Sequence, residues 1–387
     1  MRIAIISWES LHSIAVGGVA VHATELAAAL ERKGNEVHLF TRMAPGSTPY
    51  QRIEGVHYHR CPFRLNPSFI DEIQEFNRSL VHHVADTERS VGPFDIIHAH
   101  DWLASNAMVW LKEACRRRVV LTVHSTEYGR CGNQFYSGAS QRIRDHERHG
   151  TYCADRVITV SGALKKEIRW MYDVPDWKAH VVFNGVHARQ FDGFIDPKQV
   201  RSHFGIGPMD PMILFVGRMC VQKGPDILVS AIPLLEGQFP GAKFVFVGDG
   251  EQRHACEDQA RRLGVSHAVR FLGHRTGRGL IDLFKATDAV VVPSRNEPFG
   301  IVVLEAWSAG KPVIATQRGG PAEFVCHGIN GLKIYDHPES VAWGIGSLFR
   351  DFEAARWMGR NGRLAAETDF SWDRIADQTL SVYQSTG

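Results

Sequence analysis

Arg218 and Lys223 stand five residues apart in the segment Gly217-Arg-Met-Cys-Val-Gln-Lys-Gly224, directly after an apolar run at 212–216. A guanidinium can fork onto phosphate oxygens, and an ammonium supplies a compact point charge. Flanked by flexible glycines at a strand end, the pair suits a diphosphate. A departing nucleoside diphosphate gains negative charge as its bond breaks, so cations placed there act more on the transition state than on the ground state. Two exposed surface cations would look the same in isolation, so the neighbouring motifs decide.

The strongest local signal is Pro293-Ser-Arg-Asn-Glu297-Pro-Phe299-Gly300-Ile301-Val-Val-Leu-Glu305-Ala306, after the apolar run 289–292. Gly300 lets a backbone N–H meet phosphate where a helix opens at about 299–300, and the helix dipole adds partial positive charge. Glu297, in the loop, can accept bonds from sugar hydroxyls. Glu305, placed two turns into the helix, suits the vicinal hydroxyls of a ribose. An N-cap for Glu297 and a surface position for Glu305 are the plain alternatives, and their joint spacing disfavours both. Gly319-Gly320-Pro321-Ala-Glu323 is a helix-start signal and equally a glycine pair open to a ligand. Gly17-Gly18 allows close backbone approach before a helix, or serves only as a tight turn. No G-x-G-x-x-G accompanies it, which disfavours a dinucleotide-dependent dehydrogenase.

Two further strand ends carry polar side chains: His98-Ala-His100-Asp101-Trp102, and Val123-His124-Ser-Thr-Glu127-Tyr-Gly-Arg130. Asp101 and His124 read as hydrogen-bonding groups of a ligand site, with a buried, satisfied histidine as the plain alternative. Alternation puts His98 and His100 on one face, which suggests a metal, but no further spacing completes a ligand set. The expectation is no metal. The other histidines among the 20 are scattered singly and support no site.

These residues need a frame that delivers strand ends to one place. Unbroken apolar runs occur at 3–7, 36–40, 56–60, 95–99, 119–123, 156–160 and 180–183. A second series follows at 212–216, 243–247, 269–272, 289–292, 312–315 and 331–335. Without alternation they suit strands buried on both faces of parallel sheets, with helices such as 19–32 between them. Two series imply an α/β chain of two Rossmann-like, doubly wound domains facing across a cleft, with ligands at the carboxyl ends of the strands. The irregular stretch 193–211 marks the boundary, giving domains 1–200 and 201–370. The tail 370–383 has a helical pattern, with Trp372, Ile375, Ala376, Leu380 and Tyr383 on one side.

The 387 residues are 44% hydrophobic and 22% charged with net charge +2, which excludes disorder and gives no field for nucleic acid. Arg116-Arg117-Arg118 and Lys165-Lys166 read as solvated faces, leaving peripheral contact with an anionic surface open. Seven cysteines without a C-x-x-C pair argue against a disulfide framework and fit a reducing compartment. No apolar run approaches the ~18–20 residues of a membrane span. The expectation is a cytoplasmic protein without integral membrane contact. Oligomeric state is not encoded in these features.

Taken in order, these motifs resemble the retaining glycosyltransferases of the GT-B fold, family four with its glycogen and sucrose synthase relatives. The resemblance runs the length of the chain and implies that the C-terminal helix, 371–387, packs back on the first domain. It implies that Arg218 and Lys223 bind the donor diphosphate, Glu305 the ribose, and Glu297 the donor sugar or the departing phosphate. Backbone amides of Phe299, Gly300 and Ile301 would touch phosphate and hexose, with Gly17, Gly18, Gly319 and Gly320 also on the donor. His124 would bond the sugar 6-hydroxyl, and Asp101 would line the sugar or acceptor side. The segment 124–130 is similar to the bacterial and archaeal glycogen-synthase-like branch, which implies a glucose donor. The partners implied are a nucleotide sugar and a carbohydrate acceptor, without cofactor or metal, by front-face substitution. The alternatives are a mannosyl- or other hexosyltransferase acting on a small, phosphorylated or lipid acceptor, a 2-epimerase of the same fold, and a non-catalytic nucleotide-sugar-binding subunit. The last is opposed by the intact set of Arg218, Lys223, Glu297 and Glu305. The base, whether uracil, adenine or guanine, is not written in these motifs.

Overall fold

The computed structural model describes residues 1–386, which form two compact units: Met1–Gly185 with the chain from Trp372 onward, and Val186–Ser371. Strands of the first unit are β1 (Arg2–Ile6), β2 (Glu36–Arg42), β3 (Tyr50–Ile53), β4 (Val56–Cys61), β5 (Ile96–His100), β6 (Arg118–Val123), β7 (Arg156–Thr159) and β8 (Ala179–Val181). They form one sheet in the order β3-β4-β2-β1-β5-β6-β7-β8. All neighbours are parallel except β3 and β4. Ile3, Ala4, Ile5 and Ile6 are fully buried, as a central strand covered on both faces requires.

The second unit holds β9 (Met212–Val216), β10 (Lys243–Val247), β11 (Val269–Phe271), β12 (Ala289–Val292), β13 (Val313–Thr316) and β14 (Gly331–Ile334). Its sheet runs β11-β10-β9-β12-β13-β14, parallel throughout. The chain reverses direction across each sheet beside its first strand, between β1 and β5 and between β9 and β12. Loops on either side of such a switch point diverge and leave room for a ligand. Both units are therefore Rossmann-like and doubly wound, as the two series of apolar runs predict.

Two features differ from the sequence reading. β3 is a polar, largely exposed edge strand, so it carries no apolar signature. It pairs with β4 through the turn Glu54-Gly55, where both residues have positive φ (49° and 83°), as a two-residue hairpin demands. The units also divide at Gly185/Val186 rather than at 200/201. The glycine- and proline-rich stretch is not a linker, because it packs on the second unit. Phe191 lies 5.9 Å from the Phe284 ring, and Arg201 donates to the Ala286 carbonyl and pairs with Asp288, both at 2.9 Å.

The tail helix Trp372–Gln384 is built into the first unit's core beside helix Gly18–Arg32. Ile375, Ala376, Thr379, Val382 and Tyr383 are buried, whereas Leu380 is only partly so. Trp372 faces Gly185 so closely that a Cβ there would sit 2.6 Å from the indole. The Tyr383 hydroxyl meets His98 Nδ1 at 2.7 Å, and His98 Nε2 meets Thr122 Oγ1 at 2.6 Å, so both imidazole nitrogens are satisfied. Tyr383→Phe leaves His98 Nδ1 buried without its partner. The expected loss is about 1–3 kcal/mol of stability, read from urea unfolding; an unchanged midpoint would contradict this role for the tail.

Candidate active site

In the second unit the loops after β9 and β12 interlock. Gln222 accepts the backbone N–H of Arg295 at 2.9 Å and of Asn296 at 3.3 Å. The Arg295 guanidinium forks onto Asp226 at 2.8 and 2.6 Å. Gly224, at φ 66°, packs so tightly that a Cβ would lie 2.4 Å from the Pro293 carbonyl oxygen. This lock brings Lys223 to Glu297. Its Nζ lies 2.8 and 2.7 Å from the two carboxylate oxygens, and the Ser294 hydroxyl donates to Oε2 at 2.9 Å. Glu297 is only 6% exposed. A buried carboxylate needs such partners, because an unpaired charge there is strongly disfavoured.

The Arg218 residue is exposed and its side chain makes no hydrogen bond or ion pair among the described residues. The loop therefore offers one cation held by a carboxylate and one facing solvent. Phe299 buries its ring against Phe324 at 5.2 Å, which leaves its backbone at the mouth of helix Ile301–Ser308. Gly300 caps that helix at φ 95°, and no side chain caps it. The first N–H groups of a helix have no intrahelical acceptor, so this end is suited to an anion. Glu305 is the fifth residue of the eight-residue helix, just past one turn rather than two. It is half-buried, its side chain makes no hydrogen bond or ion pair among the described residues, and desolvation pushes its carboxyl up to about 7.

Gly319 and Gly320 precede helix Pro321–Phe324 and lie against the Glu297 loop. Gly320 donates its N–H to the Glu297 carbonyl at 2.8 Å. A Cβ on Gly319, at φ 67°, would stand 2.0 Å from that same oxygen, and one on Gly320 would stand 2.5 Å from Phe299 Cα. These glycines hold the carboxylate loop in place by steric necessity. Sequence reasoning missed Ser294 and Arg295, whose types carry no distinctive spacing, though both lie inside the segment it singled out.

In the first unit, Gly17 and Gly18 are exposed, and helix Gly18–Arg32 has no side-chain cap. Glu9 Oε2 accepts the backbone N–H groups of Val16 (3.1 Å) and Gly17 (2.8 Å), which fixes the loop. Asp101 holds a positive φ of 57° ahead of helix Trp102–Cys115. Its Oδ1 accepts the His124 N–H at 2.7 Å, tying the ends of β5 and β6 together. Desolvation raises its carboxyl to about 6, and the same effect lowers the His124 imidazole to about 3. Beyond His124, Arg130 joins Glu127 at 3.1 Å and the buried Glu147 at 2.7 Å, which shapes the loop 124–130 from beneath.

The histidines do not stand apart as the sequence suggests. His22, from the first helix, lies with His100 and His124 so that one ring nitrogen of each falls within 4.8 Å of the others. The available signal was His22's position one turn after Gly18, at the same sheet edge as the two strand ends. Among the described residues the seven cysteines are all free, and no helix is long and apolar enough to cross a membrane.

Known proteins share this organisation. The family model described as Glycosyltransferase Family 4 matches residues 16–190, and Glycosyl transferases group 1 matches residues 197–365. A glycosyltransferase of Methanocaldococcus jannaschii is 37% identical, covering 99% of this chain and 98% of its own. The glycogen synthase of Mycobacterium tuberculosis is 30% identical over 99% of this chain and 94% of its own. Among solved structures, a sucrose-phosphate synthase from Thermosynechococcus elongatus superposes with TM-score 0.84 at 25% identity, covering 99% of this chain and 98% of its own. Anabaena HepE in complex with UDP-glucose gives TM-score 0.80 at 21% identity over the whole of both chains.

The two glycine sites separate by stability alone. Gly319→Ala forces a strained backbone and a clash with the Glu297 carbonyl, so a loss of about 2 kcal/mol or more is expected. Gly17 has an extended backbone, and a Cβ there meets nothing within 4 Å, so Gly17→Ala leaves the unfolding midpoint within about 0.5 kcal/mol of wild type. Equal losses in both variants, measured by urea unfolding, would contradict the steric assignment.

Proposed function

The chain belongs to glycosyltransferase family 4, and from that premise we propose that it transfers a hexose, glucose foremost, from a nucleoside-diphosphate sugar to a sugar or glucan acceptor. The anomeric configuration is retained and no metal is required. The observation that carries this reading is the Lys223–Glu297 pair at the switch point of the second unit. Beside it lie the exposed Arg218 on the same loop and the uncapped end of helix Ile301–Ser308. That set combines two cations and a helix N-terminus, which is the chemistry a diphosphate needs.

In this reading the acceptor hydroxyl attacks the anomeric carbon on the face the diphosphate leaves. The carbon–oxygen bond to the diphosphate breaks as the new glycosidic bond forms. The acceptor's proton passes to a departing phosphate oxygen. Arg218 and Lys223 meet the charge that develops on that oxygen, where fixed cations lower the barrier. Lys223, already bonded to Glu297, arrives preorganised, and Glu297 keeps it aimed. Glu305 accepts the two ribose hydroxyls. Gly17, Gly18, Asp101 and His124 serve the sugar and the acceptor. Glucose as donor sugar rests on the 124–130 segment and on the named glycogen and sucrose-phosphate synthase relatives.

The structure separates the two cation tests. The Arg218 side chain has no partner among the described residues, so Arg218→Ala is expected to lower turnover by about 10²–10³-fold with an unchanged melting temperature. Lys223→Ala also strands the buried Glu297, so it loses both turnover and a few kcal/mol of stability. Wild-type turnover in both variants would refute the phosphate assignment. Activity is expected to persist in EDTA, and loss restored only by a divalent ion would contradict a metal-free transfer.

Glu305 adds a pH signature. Its folded carboxyl, near 7, lies above the ordinary carboxylate value of 4.5, so the folded state binds more protons between those values and stability from this group falls as pH rises through them. Ribose binding uses the ionised form. Affinity for an intact sugar nucleotide, which has no terminal phosphate to titrate, is therefore expected to rise up to about tenfold from pH 6 to pH 8. Glu305→Gln flattens the profile; an identical rise in that variant, by calorimetry, would remove Glu305 from the ribose.

A further inference from the structure

His98 shows how the first unit's core satisfies a buried imidazole, with a hydrogen bond on each nitrogen. Two neighbouring rings lack this. His22 is 2% exposed and His100 1% exposed, and Nε2 of each is buried without a hydrogen-bond partner. The remaining contacts are instructive. His22 Nδ1 lies 2.6 Å from Asn184 Oδ1, an acceptor, so Nδ1 carries the proton and Nε2 is left as a lone pair. His100 Nδ1 lies 3.0 Å from His124 Nε2. The rings of His22 and His124 approach to 4.6 Å between centroids. A nitrogen ligand sits about 2.0–2.1 Å from a tetrahedral ion, so two such ligands stand about 3.3 Å apart. One ring nitrogen of each of His22, His100 and His124 lies within 4.8 Å of the others, so rotation of the rings closes the set to that value.

We propose that His22, His100 and His124 form a three-imidazole site for a borderline transition-metal ion such as Zn²⁺, with Asn184 orienting His22 from behind. Three features support it beyond the count of histidines. The Asn184 bond is the outer contact that fixes a ligating tautomer and ring direction. The ligands come from three different elements: helix Gly18–Arg32, the end of β5 and the loop after β6. A bound ion would therefore cross-link the edge of the sheet. His124 is half-buried, which leaves a fourth position facing outward for water or a hydroxyl. The site is distinct from the cations of the second unit, and because His124 also serves the sugar in the proposed transfer, a bound ion competes with that role.

The test is titration of the EDTA-stripped full chain with Co²⁺, followed by visible absorption and by displacement with Zn²⁺. Wild type is expected to take up one tightly held equivalent with d–d bands of nitrogen ligation. His22→Gln is expected to weaken uptake at least 100-fold. Asn184→Ala, which keeps all three ligands, is expected to weaken it about tenfold, as loss of an outer-shell partner does. Absence of stoichiometric uptake by wild type would overturn the proposal and assign the orphaned nitrogens to a buried water. Equal affinity in His22→Gln would overturn it too, placing the ion on surface histidines. If His22→Gln fails to fold, wild-type affinity retained in Asn184→Ala overturns it.

Discussion

A single ion pair organises the strand-end loops of the second unit. Lys223 leaves the β9 loop and Glu297 leaves the β12 loop, and both carboxylate oxygens lie within 2.8 Å of one ammonium. Glu297 is too buried to remain charged alone. The loops therefore cannot drift apart without exposing or neutralising it. Backbone bonds from Arg295 and Asn296 to Gln222, and the contact of Gly224 with the Pro293 carbonyl, set the separation at which the pair can form. Gly319 then packs on the Glu297 carbonyl and Gly320 on the Phe299 backbone from the β13 side, so three strand-end loops meet at one segment.

The same topological solution appears in both units with different chemistry. At the β9/β12 switch point the groups are charged: an exposed guanidinium, a paired ammonium, and a helix end without a side-chain cap. At the β1/β5 switch point they are mostly imidazoles, held neutral by burial, with Asp101 tying adjacent strand ends through the His124 amide. In the proposed transfer the charges would meet a diphosphate and the neutral donors and acceptors would meet hydroxyls. Fold alone does not assign activity; in the proposed reaction it is these side chains at the strand ends that do.

Much of this was legible in the chain. The thirteen apolar runs correspond to strands because parallel strands buried on both faces must be apolar throughout, and that signal is strong. β3 was invisible for the opposite reason, being an exposed edge strand with polar side chains. The division between units was misplaced because glycine and proline report irregular backbone, whereas packing of Phe191 and Arg201 decides which unit owns it. Glu305 lies nearer the helix start than expected because Gly300 delays that start. His22 was passed over as a lone histidine, since proximity to His100 and His124 is created only by the sheet order. Motifs within one loop read well from sequence, and constellations assembled across loops do not.

In the proposed transfer Arg218 and Lys223 meet a pyrophosphate. A crystal structure of the full chain soaked with a nucleoside-diphosphate sugar or its diphosphate product tests this most directly. The expected result is phosphate oxygens within hydrogen-bond distance of the Arg218 guanidinium and Lys223 Nζ, with Lys223 still in contact with Glu297 and the ribose hydroxyls on Glu305. A nucleotide bound elsewhere, with both cationic side chains turned to solvent, would contradict it.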